Sequence, residues 1–456
     1  MQPMIATQRF GLGAGPGELA RLGCDPLAWL LAQLDQPTGL PADDRIPGSP
    51  GAMDHFLRRQ ELVRSRNARE KAGETLIPLS REVVDFLHPN EIVQANLNQG
   101  LATAIATPTP LLERLALHWI NHFTTSLASA PVYLGYFGAA FEREAIRPHM
   151  LGRFEDMLFA TSTHTAMLFY LDNRRSVGPN STAGKRRGRG LNENLAREIM
   201  ELHSLGVDGG YTQADVIALA RILTGWSAEI DRPAPSTAAR MGFFPELHEP
   251  GPQVVLGRRY ADTGPDQLKA VLHDLAQHPN TARHVARRLV RHFIGDTAPA
   301  ELAQTVAKVF QDSGGDLKAI TGALLRSPAA AAAPPARVRP PIELLLGTAR
   351  LLGRAPEPPR PMMALTAMGQ PFRGAASPAG WPEEDDAWGA PDAIKTRLDW
   401  AIALAARQPA GLDARALLDQ AFGAETSPEL RRAVGRAADS RQALVLLLMS
   451  PEYQRR

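Results

Sequence analysis

Apolar residues recur at intervals of three and four, and almost never alternate, over most of this 456-residue chain. A repeat near 3.6 marks amphipathic helices and leaves little room for half-buried strands. The stretch Leu191–Trp226, LNENLAREIMELHSLGVDGGYTQADVIALARILTGW, shows the pattern most fully. Leu195, Ile199 and Leu202 repeat at i, i+4 and i+7 behind Asn192, whose side chain suits an N-cap. Gly206 and the run Asp208-Gly209-Gly210 stop that helix. Thr212 and Asp215 then have capping-box spacing, and Val216, Leu219, Ala220 and Leu223 carry a second apolar face.

The same period predicts helices over 17–22, 26–35, 53–87, 109–127, 133–146, 148–161 and 164–171. Beyond the central hairpin it predicts them over 265–277, 280–294, 299–312, 316–327, 342–354, 391–407, 412–423, 427–438 and 440–449. The fold class is all-α: a multi-helix, bundle-like fold in two lobes, with long irregular loops. At most a small β-hairpin is expected, from the FF and VVL pieces of 227–263. Residues 1–226 form the expected N-terminal lobe, 227–263 an irregular connection and 264–456 the C-terminal lobe, packed as one compact unit. The Ala/Pro-rich 329–341 reads as a linker, and 171–190 and 355–390 as long irregular stretches.

Fifty Lys and Arg against 48 Asp and Glu give a net charge of +2, too balanced to favour nucleic acid or an anionic membrane. Cys24 stands alone, which excludes an internal disulfide and any CxxC site. No apolar run reaches the roughly 18 residues of a membrane span. The opening MQPMIATQRFGLGAG lacks the basic-then-apolar layout of a signal peptide, so a soluble, cytoplasmic protein is the default expectation. GLGAG at 11–15 has the look of a phosphate loop, but no strand pattern precedes it and a turn is the plainer reading. No Gly-x-Ser-x-Gly elbow, Walker loop, kinase motif set or HExxH is present, which disfavours a standard hydrolase or nucleotide enzyme.

His118 and His122, four apart on one apolar stripe, have the spacing of two imidazoles sharing a metal. Glu198 and Glu201, three apart, can present two carboxylates to one centre, and His248 in LHEPG can add a ligand from the long loop. The plain alternative for both histidines is burial with a hydrogen bond to backbone or carboxylate. Glu193, Arg197 and Glu201 fall at i, i+4 and i+8, where ordinary ion pairing accounts for them. Asn194 and Glu198 lie nearer the apolar face, so a partner from another helix is expected. The cations Arg174, Arg175, Lys185, Arg186, Arg187 and Arg189 fill an aperiodic loop, suited to phosphate, sulfate or carboxylate if not simply solvated.

WINHF (119–123), FEREAIRPHMLGRFEDML (141–158), YLDN (170–173), GLNENLAREIMELHSLGVDGGYTQADV (190–216) and LTGW (223–226) resemble the bacterial family catalogued as domain of unknown function 1800. RFGLG (9–13), HEPG (248–251), GQP (369–371), SPAGWP (377–382) and SPEYQ (450–454) fit it too, so the resemblance covers nearly the whole chain. It implies a mostly helical protein with no established reaction, many of whose relatives are exported. Its pattern emphasises Asn121, His122, Arg147, Asp172, Asn173, Asn192, Glu193, Asn194, Arg197, Glu198, Glu201, Trp226 and His248. His118 falls outside that pattern, which leaves His122 and His248 as the better pair for a metal.

Two functional expectations follow. In the first, a central pocket works as an acid/base or metal-assisted enzyme. His122, Glu198, Glu201 and His248 are its catalytic groups, and His122, His248 and Glu198 would hold a divalent metal. Asp172, Asn173, Asn194, Arg186, Arg187 and Arg189 would bind an anionic small molecule or polysaccharide. In the second, the chain is a non-catalytic accessory or scaffold whose polar cluster locks helices together. An enzyme should gather these groups around one cleft, whereas a scaffold should scatter them or bury them fully paired.

Overall fold

The computed structural model describes residues 1–456 apart from 24, 76, 79–88, 188–189, 229, 231–239, 333–334, 358–359 and 410. It is 62% helical, with two two-stranded sheets as its β-structure, so the fold is all-α. Proline sets many of the helix starts. It lies in the first turn of α1 (Ser49–Lys71), α2 (Pro89–Ala106), α3 (Pro110–His122) and α4 (Pro131–Phe141), where its missing N–H costs nothing. The part of the expected helix 53–87 beyond Lys71 does not form where it is described, because the chain turns at Ala72-Gly73.

The Leu191–Trp226 stretch folds as two helices around a glycine turn, as expected, but the first is capped at Glu193 rather than Asn192 and gains one addition. Helix α5 (Asn194–Glu198) runs on as a wider π turn over Ile199–His203, and α6 (Gln213–Leu223) follows. Thr212 and Asp215 form the reciprocal capping box, Thr212 N–H donating to Asp215 Oδ2 at 2.8 Å and Asp215 N–H to Thr212 Oγ1 at 3.3 Å. Beyond it, β1 (Trp226–Ala228) pairs with β2 (Met241–Phe243), and β3 (Gln253–Val255) with β4 (Arg258–Tyr260). The FF and VVL pieces therefore pair with different partners. Leu256 and Gly257 join β3 to β4 with positive φ at both residues (49° and 75°), the tight two-residue turn that matches strand twist.

The C-terminal half supplies α7 (Pro265–Gln277), α8 (Pro279–Ile294), α9 (Ala300–Asp312), α10 (Leu317–Arg326), α11 (Pro341–Leu352), α12 (Pro391–Ala405), α13 (Ala414–Phe422) and α14 (Ser440–Leu448). No described helix is long and apolar enough to cross a membrane.

The cores divide elsewhere than at the irregular 227–263. The largest runs from Ile5 to Ala330 and draws on both sides of that segment, because α7, α8 and α9 turn their apolar faces onto α3 and its neighbours. A second core gathers Leu344 to Tyr453. Between them Leu12, Leu97, Leu101, Leu345, Leu346 and Leu365 make a third cluster, where α11 packs on α2. Residues 337–339, within the expected linker, belong to this interior. Arg337 and Arg339 are buried, and Val338 makes a bridge to Arg455.

The start of the chain is stitched to this late part. Gln8 donates to the carbonyl of Ala421 (2.9 Å) and accepts from Arg339. Arg350 donates to the carbonyl of Gly13 (3.2 Å) and to Glu18 (2.6 Å).

Candidate functional site

Two helices set the site. On α3, His118 and His122 stand one turn apart. On α8, His284, Arg288 and His292 repeat at i, i+4 and i+8, so each helix presents a polar stripe to the other. The rings meet in a row. The His118 centroid lies 5.0 Å from that of His292 and 6.2 Å from that of His122, which in turn lies 5.9 Å from His284 and 6.3 Å from His203 on the π turn.

Only part of this row is hydrogen-bonded. His122 Nε2 donates to the carbonyl of His203 (3.1 Å), His284 Nε2 to that of Leu202 (2.9 Å), and His292 Nδ1 to Glu383 Oε1 (2.8 Å). Both ring nitrogens of His118 and of His203, Nδ1 of His122 and Nε2 of His292 are buried without a protein partner. Each such group costs about 1–3 kcal/mol if nothing meets it. Burial holds the rings neutral: it drives His118 and His122 well below the ordinary histidine value, His284 and His292 down to about 4, and His203 down to about 3. The Arg288 charge adds to the effect at His122, His203 and His284.

Beside this row, in the seam between the cores, lies a cavity of about 150 Å³. Its body is apolar, walled by Leu97, Leu117, Ile120, Leu346, Leu365 and Trp381, and each end is charged. At one end every charge is matched. Arg147 grips Glu113 through two nitrogens (2.6 and 3.0 Å) and donates Nε to Glu142 (2.9 Å), while Arg373 donates to Glu142 (2.6 Å) and to Asn96 (2.9 Å). Burial opposes ionisation of Glu142, but Arg147 and Arg373 outweigh it and hold the carboxyl below its usual range. At the other end are Glu343, Arg337, His292 and Glu383. Glu343 is paired with Arg114 (2.7 Å) and Arg456 (2.6 Å). Burial likewise opposes ionisation of Glu383, yet the His292 hydrogen bond and the nearby Arg337 hold it well below the carboxylate range. Arg337 donates to the carbonyls of Arg291 (3.2 Å) and His292 (3.0 Å), and its Nε has no partner.

The SPAGWP turn closes the cavity against α3. Asn121 Nδ2 donates to the carbonyl of Trp381 (3.0 Å) and Asn121 Oδ1 accepts from the Trp381 N–H (2.7 Å). Gly380, at φ 86°, brings its backbone so close that an added Cβ would lie 2.5 Å from the Asn121 carbonyl oxygen. Gly380→Ala is therefore expected to lower stability by at least the roughly 1–2 kcal/mol of a left-handed non-glycine residue. An unchanged melting temperature would show that the turn yields freely.

Of the residues that the family resemblance emphasises, Asn121 and Arg147 line this cavity, whereas the expected catalytic and metal-binding groups are not gathered here. His122 lies in the histidine row rather than in the cavity wall. His248 is buried at the sheet, donating Nδ1 to the Thr224 carbonyl (2.7 Å), its Nε2 3.7 Å from Asp262. Glu198 sits partly buried near Tyr170, raised by burial and by Glu201, and Glu201 accepts from the Tyr211 hydroxyl (3.3 Å). His122, His248 and Glu198 thus form no ligand set. Among the described residues the group able to hold a metal is His118, His292 and Glu383. His118, which falls outside the resemblance's pattern, stands against His292 of α8, with ring centroids 5.0 Å apart.

Asn173 is a structural pin, donating to the carbonyls of Leu223 (3.2 Å) and Trp226 (2.9 Å). Asp172 is partly exposed, 3.6 Å from Arg175. Asn194 is exposed rather than turned to the core, with its N–H donating to Asn192 Oδ1 (2.9 Å). Arg186 is exposed on a short helix, Thr182–Arg187, while the Arg187 side chain and Arg189 lie outside the described residues. His292, Glu383, Arg337, Glu142 and Arg373 are not singled out from sequence, whereas Arg147 is, by the family resemblance. A further signal is the spacing of His284, Arg288 and His292 on a helix as amphipathic as α8.

Neither a curated protein nor a solved structure matches the chain. One family does match, over residues 5–455, and the chain belongs to it: the family described as protein of unknown function, DUF1800.

Proposed function

We propose that this chain is an enzyme that binds a small molecule in the seam cavity. The apolar body of the ligand lies against Leu97, Leu117, Leu346 and Leu365, and its anionic group faces Arg337, His292 and Glu383. A deep, mostly apolar cavity with a few convergent polar groups is the usual form of such a site. The observation that carries this reading is the contrast between the two ends. The Arg147 end is fully paired, as a structural lock would be. The His292 end keeps buried nitrogens of His118, His292 and Arg337 without protein partners. A scaffold accounts for the first end and leaves the second unexplained.

Gly100 of α2 offers a test, since it lines the cavity and nothing lies within 4 Å of a Cβ built there. Gly100→Phe is expected to fill the space while the helix tolerates it. Thermal-shift screening with small carboxylates, phosphates and sulfates should find ligands that raise the melting temperature of the parent protein and leave the variant unmoved. Equal responses in both proteins, or none in the parent, would overturn the cavity as the binding site.

A further inference from the structure

We propose that His118, His292 and Glu383 hold a divalent first-row transition-metal cation such as zinc, with one coordination position open to the seam cavity. The three side chains come from α3, α8 and the irregular stretch after SPAGWP, and each offers a ligand atom within 4.8 Å of the others. They are 1%, 3% and 7% exposed. Three of the four imidazole nitrogens have no protein partner, and Trp119 and Phe293 stand edge-on to the two rings.

Two imidazoles and a carboxylate are the donor set of catalytic zinc sites, which leave a fourth position for water or substrate. Metal–nitrogen bonds of about 2.0–2.1 Å place tetrahedral ligand atoms about 3.3 Å apart, so no separation has to close by more than roughly 1.5 Å on binding.

The surrounding charge says what the open position takes. Arg337 Nη2 lies 3.7 Å from Glu383, and Arg288 acts on both His118 and Glu383. A dication beside two guanidinium groups and one carboxylate leaves the site strongly positive, and an anionic oxygen in the fourth position offsets it. His292 and Glu383 line the cavity, so that oxygen arrives from there. This last part rests on the cavity being the binding site; the metal itself does not.

The experiment uses the full chain, expressed without a polyhistidine tag. Elemental analysis before and after reconstitution with zinc should give close to one ion per chain. Cobalt substitution should give the visible absorption of a four-coordinate site, a readout on the parent protein that needs no variant to fold. His118→Ala, His292→Ala and Glu383→Ala should each bring stoichiometry close to zero with the helical circular dichroism retained, and His122→Ala should keep the ion. No bound ion and no cobalt spectrum after reconstitution would overturn the proposal, as would full stoichiometry in all three ligand variants. Gly100→Phe separates the two readings. Metal retained with no ligand response in the parent sinks only the cavity reading, and ligand response without metal sinks only the metal.

Discussion

Replacing Glu343 by glutamine is expected to cost about 3–5 kcal/mol of folding free energy, the usual consequence of removing one member of a buried ion pair. Glu343 is paired with two arginines at once. Arg456 donates to it through Nε (2.6 Å) and Nη2 (2.9 Å), and Arg114 Nη1 lies 2.7 Å away as an ion pair. Neither arginine has water to fall back on, since both are about 1% exposed or less. Each keeps a backbone acceptor, Gly11 for Arg114 (2.6 Å) and His292 for Arg456 (2.7 Å), but a neutral amide cannot balance two buried positive charges. Urea unfolding should show the loss as a lower midpoint at unchanged slope. A loss below about 1 kcal/mol, the scale of an exposed pair, would mean the two cations are compensated by something other than Glu343.

The second large effect is on acid stability, and it comes from His203 and His284. Their folded values are pushed down to about 3 and about 4, first by burial and then by Arg288. An unfolded histidine takes its proton near pH 6.5. Between those limits the unfolded chain holds more protons than the folded one, so acid favours unfolding. The stability is complete above about pH 6.5 and is lost as pH falls toward the folded values. Each ring contributes about 1.4 kcal/mol per pH unit. At pH 5 the two together cost about 4 kcal/mol, a large share of the 5–15 kcal/mol typical of a folded domain. Melting temperature against pH should therefore start to fall near pH 6.5, well above the carboxylate range. His203→Asn combined with His284→Asn should make the fall between pH 6.5 and 5 shallower, leaving the part that comes from the equally buried His118, His122 and His292. A parent profile that stays level down to pH 5 would rule the effect out.

How far the sequence discloses this molecule depends on the range of the interaction. Helix period, proline starts and the Thr212–Asp215 cap are written within a few neighbouring residues, and all three are found in place. The π turn at Ile199–His203 is not written locally. It widens the helix there, and Glu201 within it meets the Tyr211 hydroxyl. The grouping of the cores is also non-local. Proline and glycine mark where helices end, whereas the division of the core depends on which faces later meet. The Ala/Pro-rich stretch before α11 looked like a spacer, yet Arg337 within it donates to backbone carbonyls of α8. His118, His292 and Glu383 are joined only by tertiary structure, the last two across 91 residues. Spacing showed that two histidines shared a stripe, and only the fold shows what the stripe faces.

The stitching of the first turns to the far end of the chain has a consequence for synthesis. Gln8 and Gly13 wait for partners that lie 331 to 413 residues further on. At roughly 5–20 residues per second, a ribosome delivers those partners roughly 15–80 s after the opening segment has been made. Leu12 can meet Leu97 and Leu101 well before that, but the polar contacts of Gln8 and Gly13 with the far end of the chain close only late in synthesis.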